Sequence, residues 1–369
     1  MSALQFPLTD PARRVAEADR VRILEAPGFG QHFTDFMAHA RWTKDAGWAG
    51  GELIPFGPLS LSPATAVFHY AQEIFEGLKA FRRPDGSVWT FRPEMNGARF
   101  ARSARRLALP ELPVDDFVES IRALVAADEP WVPVVDDGGE GSLYLRPFMF
   151  AAEEFLGVRA SQTVDYYVIA SPAADYFPRG VQPLVVWVSD SYARAGRGGT
   201  GAAKCGGNYA SSLLGKYEAI DKGADEVLFL DSETHTRIDE LSGMNVFAIT
   251  KGGEIITPRT SGAILEGVTR DSILAIAQDL GLRSVERDLV LAELTEQIAA
   301  GEVVEMFACG TAAVVNPIGE LRSKDGAWTI GDGGSGARTM ELRKHLTDIQ
   351  YGRVEDTRGW MTELVPAAS

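Results

Sequence analysis

Residues 196–209 read GRGGTGAAKCGGNY, and their six glycines surround one lysine, Lys204, ahead of a predicted helix. Glycine has no Cβ, so such a cluster lets the backbone approach a ligand closely. The stretch is not the phosphate loop of nucleotide hydrolases, GxxxxGK followed by Ser or Thr, because Ala203 precedes the lysine and Cys205 follows it. An isolated lysine is usually exposed, but Cys205 and Tyr209 are not typical of a solvated loop. The stretch therefore favours a lysine with a function.

The composition is that of a folded, acidic protein. The length of 369 residues predicts about two domains. With 45% hydrophobic and 24% charged residues, the composition is typical of a folded, water-soluble protein. With 36 Lys and Arg against 51 Asp and Glu, the net charge of −15 disfavours nucleic acid and anionic membrane surfaces as partners. The two cysteines form no CxxC pair, residues 1–15 contain no apolar leader, and no apolar run approaches about 18 residues. These features predict a cytoplasmic protein.

Residues 171–183, SPAADYFPRGVQP, contain three prolines and a glycine and are typical of a connector between domains. We therefore expect a small domain over 1–170 and a large domain over 184–369. Before the connector, the sequence predicts a hairpin around Pro84-Asp85-Gly86, helices from Pro93 and over 114–127, and strands over 142–151 and 163–171. After it, an α+β or α/β domain is predicted, with strands over 184–189, 226–230, 244–250 and 303–307, and helices over 209–222, 269–280 and 289–299.

Other motifs fail on their context. Residues 331–336, GDGGSG, match GxGxxG, but the tail from Tyr351 offers no apolar strand for a dinucleotide-binding unit, so we expect these glycines to start a C-terminal helix. The five histidines show no HExxH or HxxxH spacing, and no GxSxG frames a serine, which argues against metallo- and serine hydrolases. His235 stands among acidic residues in a turn that is expected to be solvated. No metal site is predicted.

A smaller set of features carries chemistry. Lys204 is followed five residues later by Tyr209, Asp239-Glu240 precedes an apolar strand, and turns are predicted at 267–270 and 310–312. Exposed main-chain amides at such turns bind phosphate. Lysine, acid and phosphate site together indicate pyridoxal phosphate, which needs a Schiff-base lysine, an anion near its pyridine nitrogen and an anchor for its phosphate. The alternative from a different class is a protein that binds an anion or a nucleotide without covalent chemistry.

These blocks resemble the branched-chain amino-acid aminotransferases, which are class IV aminotransferases and fold-type IV pyridoxal-phosphate enzymes. The resemblance implies an α+β fold, with a smaller N-terminal α/β domain and a larger C-terminal cofactor-binding domain joined by the proline-rich connector. It spans essentially the whole chain, in blocks at residues 29–35, 69–81, 91–93, 143–147, 176–178, 198–209, 240–245, 258–270, 310–312 and 349–352.

The resemblance implies a role for each matching position around the cofactor. Lys204 matches the lysine that holds the cofactor and carries the proton between Cα and C4′. Tyr209 matches the tyrosine that hydrogen-bonds the phenolic oxygen, and Glu240 the acid that keeps the pyridine nitrogen protonated. An anion there deepens the electron sink of the ring. The other cofactor-binding positions are Arg99, for the phosphate, and Arg194, Val268, Thr269 and Thr311.

For the substrate, the resemblance implies an apolar cage, which is a pocket lined by aromatic side chains. The alternative for each of these aromatic residues is a purely structural role in the hydrophobic core. The α-carboxylate would lie against the amides of Thr311 and Ala312. Arg146 is the candidate for the side-chain carboxylate of glutamate, so that one pocket serves leucine-like and glutamate side chains. The positions that match the cage are Phe29, Tyr70, Phe75, Tyr144 and Tyr176.

The expected reaction moves the amino group of leucine, isoleucine or valine to 2-oxoglutarate, giving glutamate and the branched 2-oxo acids. A D-amino-acid aminotransferase or a pyridoxal-phosphate lyase of the same fold is the nearest alternative. The resemblance also implies a homodimer, in which residues near 144–155 reach the partner's site and Tyr176 closes over the substrate. Two departures stand out: Ala313 and Asn316 replace a redox CxxC found in some members, and Gly243 stands where threonine is frequent.

Overall fold

A computed structural model describes residues 3–11, 14–135, 139–174 and 180–367. The chain divides into two compact units. The first unit comprises Met1–Pro178, Ala203–Gly206 and Ile349–Ser369, and the second comprises Arg179–Ala202 and Gly207–Asp348. This division differs from the expected domain boundaries in two places, because 203–206 and the segment from Ile349 onward join the first unit. Lys204 therefore belongs to the first unit, although the chain before Ala203 and the chain after Gly206 belong to the second.

The described residues form both helices and strands, and most strands follow one another in runs, which confirms the predicted α+β class. The helices are α1 (Glu17–Glu25), α2 (Val67–Tyr70), α3 (Pro93–Arg106), α4 (Val114–Ala127), α5 (Gly206–Asp221), α6 (Val268–Asp279), α7 (Leu291–Ala299) and α8 (Ala337–Gln350), with a 3₁₀ turn at Glu129–Trp131. The strands are β1 (Phe36–Thr43), β2 (Gly47–Pro55), β3 (Glu73–Phe75), β4 (Leu78–Arg82), β5 (Val88–Phe91), β6 (Ser142–Ala151), β7 (Thr163–Ala173), β8 (Leu184–Ser189), β9 (Glu226–Leu230), β10 (Ile238–Leu241), β11 (Asn245–Thr250), β12 (Glu254–Thr257), β13 (Arg283–Glu286), β14 (Val303–Gly310), β15 (Val314–Ser323), β16 (Gly326–Thr329) and β17 (Met361–Val365).

An eight-stranded sheet forms the first unit, in the order β17-β5-β4-β6-β7-β1-β2, with β3 paired to β6. The predicted hairpin is present as β4 and β5. The expectation that the tail after Tyr351 contains no apolar strand is wrong, because β17 pairs with β5. The strand has a weak apolar signal, since only Met361 and Leu364 are buried in it. Strand β17 runs antiparallel to β5, whereas a dinucleotide-binding unit needs a parallel strand after its helix, so residues 331–336 do not begin such a unit. Helix α8 begins directly after these residues, at Ala337.

Helices α3 and α4 pack into the core of the first unit, and α3 also buries polar side chains. Phe100 of α3 packs 5.4 Å from Phe117 of α4, measured between ring centroids. Proline at the first position of α3 suits a helix start, where its missing N–H is not needed. Asn96, Arg99 and Ser103 follow at helical spacing and are buried as well. Helix α3 thus presents a buried polar stripe beside its apolar one.

The second unit is built on a nine-stranded sheet in the order β10-β9-β8-β15-β14-β11-β12-β13, with β16 paired to β15. Its core includes a stacked pair, Phe247 on β11 and Phe307 on β14, with ring centroids 4.9 Å apart. Because β11 and β14 are antiparallel with Asn245 opposite Cys309, the end of β14 at Gly310 lies beside the turn that precedes β11. This register places the 310–312 turn next to the segment that follows the acidic pair.

No helix within the described ranges is both long enough and apolar enough to span a membrane.

Candidate active site

The lysine-bearing turn is fixed by its backbone. In the first unit, the N–H of Lys204 donates to Oγ of Ser103 at 2.9 Å, and its carbonyl accepts from the N–H of Phe75 at 2.9 Å. Its Nζ lies 4.6 Å from the centroid of the Phe75 ring. The next residue, Cys205, is buried, and α5 begins at Gly206. Strand β3 and helix α3 therefore position the lysine through its main chain.

Arg99 lies in the same unit and forms a buried ion pair. Its Nε and Nη2 lie 2.7 and 2.8 Å from the two carboxylate oxygens of Glu76, and Asn96 donates to the same carboxylate at 2.8 Å. Burial alone would raise the pKa of Glu76, but the charge and hydrogen bonds of Arg99 outweigh it, so the pKa lies below its ordinary value. The fork of the guanidinium is thus oriented by a charged carboxylate.

Three of the predicted substrate residues meet around a single arginine. The rings of Phe29 and Tyr144 pack edge to face with centroids 5.0 Å apart. Arg146 donates to the hydroxyl of Tyr144 at 3.0 Å and lies 4.7 Å above the Phe75 ring. The Tyr144 hydroxyl occupies space that only glycine at position 77 leaves open, since a Cβ there would collide with it. The chain thus builds an aromatic wall with one embedded cation.

One other predicted substrate residue, Tyr70, is not part of this group. Tyr70 is 39% exposed, and its hydroxyl donates to the carbonyl of Leu156. Tyr176 lies outside the described residues.

The second unit contains the predicted acid in a dense hydrogen-bond network. The Oε1 atom of Glu240, on β10, is 2.7 Å from Nη1 of Arg194 and accepts the N–H of Leu265 at 2.9 Å. Its Oε2 accepts from the side-chain amide of Asn245 at 3.0 Å. The side chains of Arg194 and Glu240 are only 2% and 3% exposed. Three donors on a buried carboxylate favour its charged form.

Tyr209 lies in the first turn of α5, and the guanidinium of Arg194 is 5.7 Å from the centre of its ring. Gly243, one of the two departures from the family pattern, is next to it: a Cβ at that position would lie 3.7 Å from the tyrosine ring, an ordinary van der Waals distance. A β-carbon there would therefore meet the ring without a clash. The structure brings Arg194, Tyr209, Glu240 and Gly243 together within one unit.

The first of the predicted phosphate turns lies in the same region. Helix α6 begins at Val268 and Thr269, both buried, after the N-cap residue Gly267, which supplies no capping side chain. Asn245, the partner of Glu240, abuts Gly267 so closely that a Cβ there would collide with its side-chain oxygen. The first N–H groups of a helix have no partner within the helix and attract anions.

Thr311 and Ala312 lie in the turn between β14 and β15, half-buried. The preceding Gly310 is in contact range of Met244 and of the Gly243 carbonyl, where a Cβ would lie 3.4 and 3.5 Å away. This turn therefore stands beside the 242–244 turn that follows Glu240.

Asp239, the neighbour of Glu240, faces a different space. It lines a cavity of about 270 Å³ together with Asp231, Arg237 and Arg259. Burial, followed by the nearby charge of Asp231, raises the pKa of Asp239 to about 6. Within the described residues Arg194 forms its ion pair with Glu240, while its charge also acts on Asp239 and opposes the rise in the pKa of that carboxyl.

Three contributing residues had no role predicted from the sequence: Ser103, Glu76 and Asn245. Asn245 and Glu76 stand in blocks that carry the family resemblance, but their residue types alone indicate no function. Ser103 is about 100 positions from Lys204, so only the fold reveals their hydrogen bond.

Comparison with known proteins matches this chain to one family. The family model of class IV amino-transferases matches residues 73–321. A probable branched-chain-amino-acid aminotransferase of Streptomyces coelicolor is 52% identical, over 99% of this chain and 100% of its own. The branched-chain-amino-acid aminotransferase of Mycolicibacterium smegmatis is 49% identical over 98% of both chains.

Solved structures agree with this match. The Escherichia coli branched-chain amino acid aminotransferase superposes with a TM-score of 0.71 at 27% identity, over 89% of this chain and 99% of that one. A thermophile's branched-chain amino acid aminotransferase, solved with pyridoxamine 5′-phosphate, gives a TM-score of 0.73 at 29% identity with the same coverage. The chain belongs to the class IV aminotransferases, among the branched-chain-amino-acid aminotransferases.

Proposed function

We propose that this enzyme moves the amino group of leucine, isoleucine or valine to 2-oxoglutarate, with pyridoxal phosphate as its cofactor and Lys204 as the residue that holds it. The observation that carries the assignment is the buried Glu240 carboxylate with its three donors. A carboxylate kept charged in a buried site suits a cofactor whose ring nitrogen must be protonated.

The groups around Glu240 fit the rest of the cofactor. The first turn of α6 offers the amides and hydroxyl of Val268 and Thr269 for a phosphate, and Thr311 offers a further hydroxyl. Tyr209 supplies a phenol on the same side of the second unit as Arg194. Arg99 is proposed to add a positive charge for the phosphate, with its guanidinium oriented by Glu76.

Bound pyridoxal phosphate supplies an electron sink that makes the Cα proton of an amino acid acidic. Lys204 carries that proton, since its amine is the basic group predicted at the reacting atoms. Its backbone is fixed by Ser103 and Phe75, so the amine moves only by rotation of its own side chain. The Phe75 ring lies 4.6 Å from Nζ and packs against the end of the lysine side chain.

Each unit is proposed to supply its own group of substrate-binding residues. Phe29, Phe75 and Tyr144 contact a branched side chain, and Arg146 receives the side-chain carboxylate when glutamate is bound. The amides of Thr311 and Ala312 receive the α-carboxylate. These assignments rest on the aromatic wall with its embedded arginine and on the turn beside Gly243.

We further propose a cytoplasmic homodimer. Each unit exposes apolar side chains: Leu156 and Val158 in the first are 61% and 87% exposed, and α5 in the second exposes Leu213 and Tyr217 by 54% and 65%. Exposed apolar groups of this size favour burial against a partner. Light scattering of the purified enzyme tests the proposal, and a fully active monomer would refute it.

The activity is tested with the purified holoenzyme. We expect a visible absorption band that borohydride treatment abolishes, and formation of glutamate from 2-oxoglutarate with L-leucine as donor. Release of the reduced cofactor when the borohydride-treated protein is denatured would indicate a non-covalent binder. Turnover of D-leucine but not L-leucine would assign a D-amino-acid aminotransferase, and elimination without transfer of the amino group would assign a lyase.

A further inference from the structure

Glu73 is a half-buried acidic residue on β3, two positions before Phe75. Side chains two positions apart on a strand share a face of the sheet. Phe75 pairs with Phe148 on β6, and Arg146 lies two positions away along that strand. Glu73 therefore lies on the face of the sheet that carries the aromatic wall and its arginine.

Arg146 on this face is held mainly by aromatic rings. Its guanidinium lies 4.7 Å from the Phe75 centroid and 5.4 Å from the Tyr144 centroid. Its Nε is buried and has no hydrogen-bond partner among the residues that the structure describes. Arginine stays charged at every pH at which proteins fold, so a substrate that covers Arg146 with a hydrocarbon side chain leaves a desolvated cation behind.

Glu73 is fixed near this cation. It accepts a hydrogen bond from the backbone N–H of Gly206, two residues after Lys204. Burial raises the pKa of Glu73 above its ordinary value, and the Gly206 N–H and the charge of Arg146 only partly oppose this shift. The carboxylate is thus anchored to the lysine-bearing turn and lies within the electrostatic reach of Arg146.

We propose that Glu73 determines the balance between branched-chain and dicarboxylate substrates by opposing the charge of Arg146. The inference rests on the proposed function, in which both kinds of side chain enter one pocket. When a hydrocarbon side chain is bound, Glu73 supplies the negative charge that stabilises the covered Arg146. When glutamate or 2-oxoglutarate is bound, Glu73 repels the incoming side-chain carboxylate and weakens its attraction to Arg146.

The test is Glu73→Gln in the holoenzyme, assayed by the half-reaction with L-glutamate or L-leucine as the sole donor, followed by cofactor absorbance. Glutamine has the same shape and keeps an acceptor oxygen for Gly206. At about pH 8.5, where a glutamate carboxylate is ionised, we expect the ratio of kcat/KM for glutamate to that for leucine to rise about tenfold. A ratio within about twofold of the wild type would overturn the inference.

Two matched variants separate charge from structure. Glu94→Gln removes the same charge from an exposed position at the start of α3, and its ratio is expected to equal that of the wild type. Glu73→Asp keeps the charge and should stay within about twofold of the wild type. A tenfold change in Glu73→Asp would mean that the hydrogen bond to Gly206 matters rather than the charge, and would also overturn the inference.

Arg146→Gln tests the same pair from the other side, and together with Glu73→Gln it completes a double-mutant cycle. Loss of the cation should lower kcat/KM for glutamate by about 30-fold or more, and that for leucine by a smaller factor. In this background Glu73→Gln should no longer impair leucine, because no cation remains to be balanced. Equal losses for both donors would overturn the inference. A wild-type enzyme inert toward both donors would instead refute the proposed function.

Discussion

Arg194 and Glu240 form an ion pair of 2.7 Å in which each side chain is at most 3% exposed. Such a pair exposes neither charge to water, so removal of one partner leaves the other uncompensated at a cost of about 3–5 kcal/mol. Asn245 and the N–H of Leu265 hold the same carboxylate. The second unit therefore contains a negative charge whose position is fixed before any ligand binds.

Glu240→Gln is expected to bind the cofactor but to react slowly. The amide keeps the shape of the side chain and one acceptor oxygen, but it no longer stabilises a positive charge on the ring nitrogen. We expect the half-reaction with leucine to slow by about two orders of magnitude in stopped-flow measurements. Glu302→Gln, an exposed change of the same charge in the second unit, is the control and should react like the wild type. Unchanged rates in Glu240→Gln would show that another acid serves the nitrogen.

Lys204→Ala is expected to abolish transamination while the apo-protein stays folded. The hydrogen bonds of this residue to Ser103 and Phe75 come from its backbone and survive the substitution. We expect circular dichroism and the melting temperature of the apo-protein to match the wild type within a few degrees, with turnover lost by at least about a thousandfold. Lys251→Ala, at an exposed position, controls for loss of a lysine. Normal turnover in Lys204→Ala would exclude the assigned role.

Gly77→Ala is expected to alter substrate binding more than stability. A Cβ at this position collides with the Tyr144 hydroxyl, which must then rotate away from Arg146 and Phe29. We expect KM for leucine to rise about tenfold, with a loss of free energy of unfolding of about 1–3 kcal/mol. Gly57→Ala, where no atom lies within 4 Å of the added methyl, is the matched control. Equal kinetics in the two variants would argue against Tyr144 as a wall of the pocket.

A buried carboxyl in the first unit makes stability depend on pH. Asp128, directly after α4, is fully buried, and its Oδ1 has no hydrogen-bond partner in the described part of the chain. Burial raises its pKa to about 7, against the partial counteraction of hydrogen bonds from Thr34 and the N–H of Phe36, and the neighbouring Asp35 raises it further. The folded state therefore binds this proton more tightly than the unfolded chain does.

The sign of the effect follows from this difference. Protonated Asp128 contributes about 4 kcal/mol to the free energy of unfolding. This contribution is complete below the unfolded pKa of about 4 and is lost as the pH rises through about 7. Asp128→Asn is expected to flatten the fall in free energy of unfolding between about pH 5 and about pH 8, measured by urea denaturation. The exposed Asp115→Asn should leave the slope unchanged. Equal slopes in Asp128→Asn and the wild type would show that this carboxyl does not titrate in the fold.

The residues of the candidate site were predictable where residue type and spacing carry chemistry. Lys204, Tyr209 and Glu240 stand in segments whose glycines, acids and turns indicate a phosphate-bearing cofactor. Their supporting residues were not predictable, because Ser103 and Leu265 contact them across about 100 and 25 positions of sequence. Four strands after the connector, β8, β9, β11 and β14, were found because their apolar runs are continuous, whereas β10, β12, β13 and β15 were not predicted. Strands β1 and β2 were not, since glycines, tryptophans and charged residues alternate irregularly there.

Strand β17 has a consequence for how the enzyme is made. A ribosome synthesises residues 1–174 first. The sheet that they form is completed only by Met361–Val365, which pair with β5. This strand is synthesised after the whole second unit. Until then the edge of β5 is an open template for other nascent chains. A chain that ends before residue 361 would therefore leave the β5 edge of this sheet unpaired.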